Sequence, residues 1–219
     1  MKLNLARAAT VLGLSAFSAL ASAASIPGLV NTGAGLAAGQ VDSSYSFTAL
    51  TGTAVGTGGH GAVTSDNAFP FPNWLDNSAD SKWLTPTADQ GASYDPSGSG
   101  TYSWTLNFDL TGYDASTASF SGRWVADNYG QLYLNGQLIS TTSNSLTNWT
   151  AIAEVSSGFN AGVNTLQFVV TNYAAAAGNP TGLRAEFSSN VSAVPEPETY
   201  ALMLAGLAAV GFIARRRKI

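Results

Sequence analysis

From Thr101 to Leu110 the chain alternates strictly. Tyr102, Trp104, Leu106, Phe108 and Leu110 are apolar, and Ser103, Thr105, Asn107 and Asp109 between them are polar. A period of two is the repeat of a β-strand with one face in a core and one in water; a helix spreads such a pattern around its circumference. Weaker segments of the same kind follow. Ala118–Ala126 carries Phe120 and Trp124 on one face, and Leu132–Leu134 leads through an Asn135-Gly136 turn to Leu138 and Ile139. Asn-Gly at that position is the signature of a two-residue hairpin. Trp149–Val155, Leu166–Val170 and Leu183–Phe187 complete the set, the last with Arg184 and Glu186 opposite its apolar face. Short strands divided by turn residues, with no internal repeat and no helical pattern in the body, predict an all-β fold, a β-sandwich or jelly roll.

Before these strands the pattern is less regular. Ser25 to about Gly61 is rich in Gly and Ala, with a strand-like Tyr45-Ser46-Phe47 and a loop from Leu50 to Gly61 containing five glycines. Ala68–Pro72 holds two Phe and two Pro and reads as an ordered extended turn, and Trp74 and Trp83 bracket a loop with Asp76 and Asp80.

The two ends differ in kind from this body. Lys2 and Arg7 precede an apolar run, Ala8–Leu20, and Ala21-Ser22-Ala23 has the A-x-A form of a cleavage site. Residues 1–23 therefore read as a secretory signal peptide removed after Ala23 by signal peptidase. At the other end, residues 24–190 give way to a tail, 191–219. It consists of Val194-Pro195-Glu196-Pro197-Glu198, an apolar segment at 199–214, and a basic stop of Arg215, Arg216, Arg217 and Lys218 before Ile219. The two prolines bar helix through the motif. The apolar segment reads as a transmembrane helix, although its fifteen apolar residues from Tyr200 to Ala214 reach only ~22 Å against a hydrocarbon core of ~30 Å. Thr199 and snorkelling arginines must supply the rest, which suits a temporary anchor, and the basic cluster puts the C-terminus on the cytoplasmic side.

This order of motif, apolar segment and basic stop resembles the PEP-CTERM sorting signal of Gram-negative bacteria. The resemblance implies export through the inner membrane, recognition and cleavage of the tail by an exosortase (a membrane-embedded cysteine protease), and a destination in the cell envelope or extracellular matrix. The same tail also ends some ice-binding proteins. Ice recognition calls for a regular Thr or Ser ladder, and Thr51-Gly52-Thr53 and Thr85-Pro86-Thr87 are isolated pairs.

With the ends removed, composition becomes informative. Only Lys82, Arg123 and Arg184 remain as basic residues of the body, against eleven acids between Asp42 and Glu186, a formal charge of −8. That balance argues against a nucleic-acid partner, which needs clustered Lys and Arg. There is no cysteine, so an exported domain of this size must be held by its core alone. The body also resembles galactose-binding-like jelly rolls. The resemblance rests on Ser81-Lys82-Trp83-Leu84-Thr85-Pro86, Gly122-Arg123-Trp124-Val125-Ala126-Asp127-Asn128, Leu132-Tyr133-Leu134-Asn135-Gly136 and Asn179-Pro180-Thr181-Gly182-Leu183. It covers roughly Trp83 to Phe187 and is more specific for fold than for ligand.

The residues offer little for catalysis. His60 is the one histidine, set between Gly59 and Gly61 with no carboxylate to orient it, and a zinc site needs more His or Cys. Paired carboxylates could come from Asp109, Asp114, Asp127, Glu154 and Glu186, but these read as turn and surface acids. The chain is therefore expected not to be an enzyme. Sugar binding has better material, because aromatic rings meet saccharide C–H faces while Asn, Asp and Arg meet hydroxyls. Trp104 and Trp124 belong to the predicted core. Trp74, Trp83 and Trp149, at loop or strand edges, are the candidate platforms, with Arg123, Asp127, Asn128 and Tyr129 beside them. Arg123 and Arg184 could equally pair with acids. An extracellular polysaccharide is thus the expected ligand, and a structural protein without specific ligand, or a polysaccharide-acting enzyme, are the alternatives. No cofactor is expected beyond a structural Ca²⁺, for which Asp76, Asp80 and Asp127 are the available carboxylates.

Overall fold

A computed structural model describes residues 23–143, 145–194 and 197–216. Its strands are β1 (Ala23–Ala24), β2 (Val41–Ala49), β3 (His60–Val63), β4 (Leu84–Thr85), β5 (Gly100–Asp109) and β6 (Tyr113–Asp127). They continue as β7 (Tyr129–Leu134), β8 (Gln137–Thr142), β9 (Thr150–Val155), β10 (Val163–Asn172) and β11 (Gly182–Ala193), and a helix, α1 (Pro197–Arg216), follows. The strands pair antiparallel, in the order β8-β7-β10-β5-β2-β3-β4-β11-β6-β9, with β1 on β11.

This path folds over at β3 and β4 into two facing layers, a β-sandwich of jelly-roll type. Trp124 of β6 lies 5.3 Å from Phe168 of β10, ring centre to ring centre, and Phe168 lies 6.4 Å from Phe187 of β11. The two ends of the path meet where the Thr142 and Thr150 hydroxyls are 2.6 Å apart. The expected alternation holds: Tyr102, Trp104, Leu106, Phe108 and Leu110 are all buried in one core, together with Phe120, Trp124, Leu132, Leu166, Phe168 and Leu183. The Asn135-Gly136 hairpin has positive φ at both residues (50° and 83°), as its primed turn requires.

Three short strands were not visible in the sequence pattern. The glycine-rich stretch expected to be a loop ends in β3, and β4 and β1 are two residues each. The N-terminal segment is also more ordered than its composition suggested. It runs along the edge of β11: Thr32 exchanges hydrogen bonds with Ala185 (3.1 and 3.0 Å), Phe187 N–H donates to Asn31 Oδ1 (2.7 Å), and β1 pairs with Val191 and Ser192. These contacts lie far apart in the chain and have no local signature.

Close approach of β6 and β11 depends on Gly122. A Cβ there would sit 2.2 Å from the Glu186 carbonyl oxygen, a backbone atom that cannot turn aside. Gly122→Ala should cost about 1–3 kcal/mol by overpacking. Gly98→Ala, where a Cβ would meet nothing within 4 Å and φ is not positive, is the control for adding a methyl without a close contact. Urea melts of the two variants check this, and equal stability would remove the close-approach argument.

Candidate functional site

The loops before β4 and after β8 do not stand away from the body. They fold onto the outer face of β6 and β11 as a second apolar cluster of Trp74, Trp83 and Val125, with Phe71, Leu75, Leu146 and Trp149 against it. Leu75 N–H donates to the Leu146 carbonyl (2.8 Å), joining the two loops. This corrects the expectation for two of the platform tryptophans. Trp74 is 2% and Trp83 0% exposed, and their rings stack on each other at 4.2 Å. A ring buried on both faces cannot receive a sugar. Trp104 and Trp124 are core residues, as expected.

Arg184 explains how the loop is fastened. It projects from the outer face of β11 yet is 2% exposed, beneath the 76–81 loop. Its Nε donates to Ser81 Oγ (2.7 Å), Nη1 to the Asp76 carbonyl, and Nη2 to Ser78 Oγ (2.9 Å) and Glu186 Oε1 (3.4 Å). Burial pulls the guanidinium below its ordinary pKa, and the Glu186 charge opposes that. Glu186 is raised by burial but more than offset by hydrogen bonds from Ser81 and Arg123 and by the charges of Arg123 and Arg184, so its pKa is lowered. Arg123 pairs with Glu186 at 2.7 Å, and both guanidinium groups lie over the half-buried Trp149 ring, 4.5 and 4.6 Å from its centre. Both body arginines thus pair with an acid, one of the two alternatives left open by the sequence.

At the pole where β6 turns into β7, a recess of about 250 Å³ opens. Its walls are Phe69, Pro70, Asn73, Leu146, Gly178 and Pro180, and Asp127 and Trp74 complete it. Phe69 is 45% exposed, an apolar ring facing solvent. Its loop is tied down by Gln90 Nε2, which donates to the carbonyls of Ser65 (2.9 Å), Ala68 (3.1 Å) and Phe69 (3.1 Å). The peptide bonds Phe69–Pro70, Phe71–Pro72 and Asp127–Asn128 are cis. Asp127 is 5% exposed and accepts a hydrogen bond from the Trp74 indole N–H (2.9 Å), while Thr181 Oγ1 donates to its carbonyl (2.8 Å). Burial pushes the Asp127 carboxyl up to about 7, against the Trp74 hydrogen bond that lowers it. Near neutral pH this group can therefore both donate and accept a hydrogen bond.

The predicted site residues are divided by this geometry. Asp127 lines the recess with Trp74. Asn128 holds the turn, its N–H donating to the Thr171 carbonyl (3.1 Å) and its Oδ1 accepting from Tyr173 N–H (2.7 Å). Tyr129 starts β7 on the face opposite Gly130, Leu132 and Leu134, outside the recess lining. Arg123 and Trp149 form the separate ion-pair cluster. Asp76, Asp80 and Asp127 do not gather: among the described residues no three His, Cys, Asp or Glu side chains come together. Phe69, Asn73 and Leu146 were missed as site residues. Only the repeated Phe-Pro of 69–72 hinted at an ordered loop.

Ala23 lies in β1, and Val194 N–H donates to the Gly112 carbonyl (3.0 Å). Arg215 and Arg216 occupy the last turn of α1, where cations complement the helix dipole, and the Arg216 guanidinium is 5.2 Å from the Phe212 ring centre. Ala21, Pro195, Glu196, Arg217 and Lys218 lie outside the described residues. A helix, α1, forms where the transmembrane segment was expected; among the described residues no helix is long and apolar enough to cross a membrane. The apolar part of α1, from Tyr200 to Ala214, is short, about 22 Å, and Arg215 and Arg216 follow it at once.

No curated protein matches the sequence. Among solved structures, the chain is similar to a PA14 sugar-binding domain from an RTX adhesin (14% identity, TM-score 0.34, covering 69% of this chain and 99% of that one). It is also similar to TmCBM61 in complex with β-1,4-galactotriose (10%, 0.33, 67% and 88%) and to CBM35 from Paenibacillus barcinonensis (13%, 0.29, 65% and 92%). Residues 193–218 match the family model of the PEP-CTERM protein-sorting motif, as the resemblance of the tail implied. The chain is thus an exported protein that ends in a PEP-CTERM sorting signal.

Proposed function

We propose that the exported body binds an uncharged glycan in the recess around Asp127, without catalysing its turnover. The observation that carries this reading is the pairing of a buried carboxyl with an exposed aromatic ring in one small concavity. Phe69 offers an apolar face to sugar C–H groups, and Asp127 and Asn73 offer hydrogen bonds to hydroxyls. Among the described residues no basic side chain lines the recess, and the body carries a formal charge of −8, so an anionic polymer is disfavoured. Two-carboxylate hydrolysis needs a second acid facing Asp127 across the sugar, and Asp127 alone among the described lining residues carries a carboxyl group. In this reading signal peptidase cuts after Ala23, an exosortase processes the tail at the inner membrane, and the body works in the envelope or extracellular polysaccharide.

Glycan-array binding and titration with neutral oligosaccharides test it. Phe69→Ala and Asp127→Asn should each weaken binding about tenfold or more, roughly 1.4 kcal/mol, with melting behaviour close to that of the unaltered protein for Phe69→Ala. Undiminished affinity in the double variant would overturn the reading, and turnover of a glycan lost with Asp127 would replace it by an enzymatic one.

A further inference from the structure

A larger surface groove lies elsewhere, beside a break in the pairing of β2. Asp42 pairs with Gly61, but the next register point is Ser46 with His60, so Ser43, Ser44 and Tyr45 bulge out. Towards β5, pairing begins only at Tyr45 with Leu106. N-terminal to that point the two strands part, and Gly28–Val30 crosses the gap. Gly28, at φ +80°, comes so close that a Cβ would lie 3.3 Å from the Phe108 Cβ. The result is a groove of about 430 Å³, within the range of ~300–1,000 Å³ usual for small-molecule sites. A bulge that re-aims side chains at such a place is a recurrent feature of binding sites.

The polar lining is Ser43, Ser44, Ser46, His60, Thr105 and Asn107, with no carboxylate, Lys or Arg among the described lining residues. It is also held in place. Tyr45 OH donates to the Val30 carbonyl (2.6 Å), and the Asp42 carboxylate accepts from the N–H groups of Gly33 (2.8 Å) and Ser44 (3.0 Å). His60 Nδ1 is 3.0 Å from the Tyr45 carbonyl. A carbonyl only accepts, so Nδ1 carries the hydrogen and Nε2 is left as the ring's other polar atom. Asn107 Oδ1 accepts from Thr165 Oγ1 (2.8 Å), which orients its amide and leaves the NH₂ side as donor. Hydroxyls, an amide and an imidazole nitrogen match the hydroxyl rim of a saccharide.

We infer that this groove is a second saccharide site and that the exported body is a bivalent binder of uncharged glycans. The ligand class rests on the function proposed for the Asp127 recess; the groove itself does not. The two sites are separate. β5 runs from Gly100, beside the pole that holds Asp127, to Asn107 and Asp109 at the far end, and Thr101 to Asn107 alone spans about 20 Å at ~3.3 Å per residue. Two weak sites on one domain raise its affinity for a long polymer well above that for a short oligosaccharide, by ~10²–10⁴ where the geometry permits both to engage.

Calorimetric titration of the processed protein with linear neutral hexasaccharides of glucose and of galactose, followed by retention on the matching insoluble polymers, tests this. The expected result is two oligosaccharides per protein. His60→Ala with Asn107→Ala should leave one, as should Phe69→Ala with Asp127→Asn. Each pair should reduce retention on the polymer at least tenfold. Ser44→Trp, at an exposed position that removes no hydrogen bond of the groove wall, should block the groove if the first pair fails to fold. A stoichiometry of one that is abolished by the Asp127 pair and untouched by Ser44→Trp would overturn this inference and leave the recess standing. Loss with the groove variants alone would overturn the recess and keep the groove. Absence of binding to both sugars in the unaltered protein would overturn both.

Discussion

Arg184→Ala is expected to destabilise the body by about 3–5 kcal/mol, the range for breaking a buried, hydrogen-bonded charge cluster. The side chain is withdrawn from water and donates to Ser81, Asp76, Ser78 and Glu186. Its loss strands buried acceptors and releases the loop that carries Trp83. Trp74 and Trp83 should then become solvent-accessible, so acrylamide quenching of tryptophan fluorescence should rise together with the fall in urea midpoint. Arg123→Ala is the contrast. That guanidinium is about half exposed, its ion pair is screened by water, and its removal should cost no more than ~1 kcal/mol. Equal effects of the two substitutions would show that the loop is held by its apolar contacts alone.

The second large effect is a pH dependence centred on Asp127. Its folded pKa of about 7 lies above the unfolded value of ~3.9. Below about pH 4 the carboxyl is protonated in both states and contributes no penalty. Between about 4 and 7 the unfolded chain releases the proton while the folded chain keeps it, so stability falls as pH rises, and it levels off above 7. A displacement of that size is equivalent to about 4 kcal/mol as an upper bound. Asp109, Asp114 and Glu186 are displaced the other way, so they lose their contribution only in acid and leave this window clear. Asp127→Asn keeps the acceptor for the Trp74 indole and removes the proton. It should flatten the slope between pH 4.5 and 8 and exceed the parent protein in stability at pH 8. Parallel curves for the two proteins, measured by urea denaturation, would exclude Asp127 as the source.

The fold was legible where the chain alternates. Thr101–Leu110 showed its core face directly, because period-two burial is a local property, and Asn135-Gly136 showed its turn because positive φ selects those residues. The loop clusters were not legible. Trp74 and Trp83 lie in irregular segments with no period, and nothing adjacent in sequence records that Val125 and Arg184 wait beneath them on the outside of a sheet. Asp127 was visible as a turn acid next to Asn128; its partner Phe69, far earlier in the chain, was not.

The sorting tail was legible in the sequence alone. The order of motif, apolar segment and basic stop is a linear pattern, so the tail 193–218 was recognisable without any tertiary contact. The body is different. Which aromatic rings are buried, which acid loses its water, and where β2 breaks to open a groove beside His60 all depend on contacts between distant strands, because burial is a property of neighbours in space. The tertiary structure buried two of the three candidate platform tryptophans, Trp74 and Trp83, and moved the candidate binding chemistry to Phe69, Asp127 and the His60 groove.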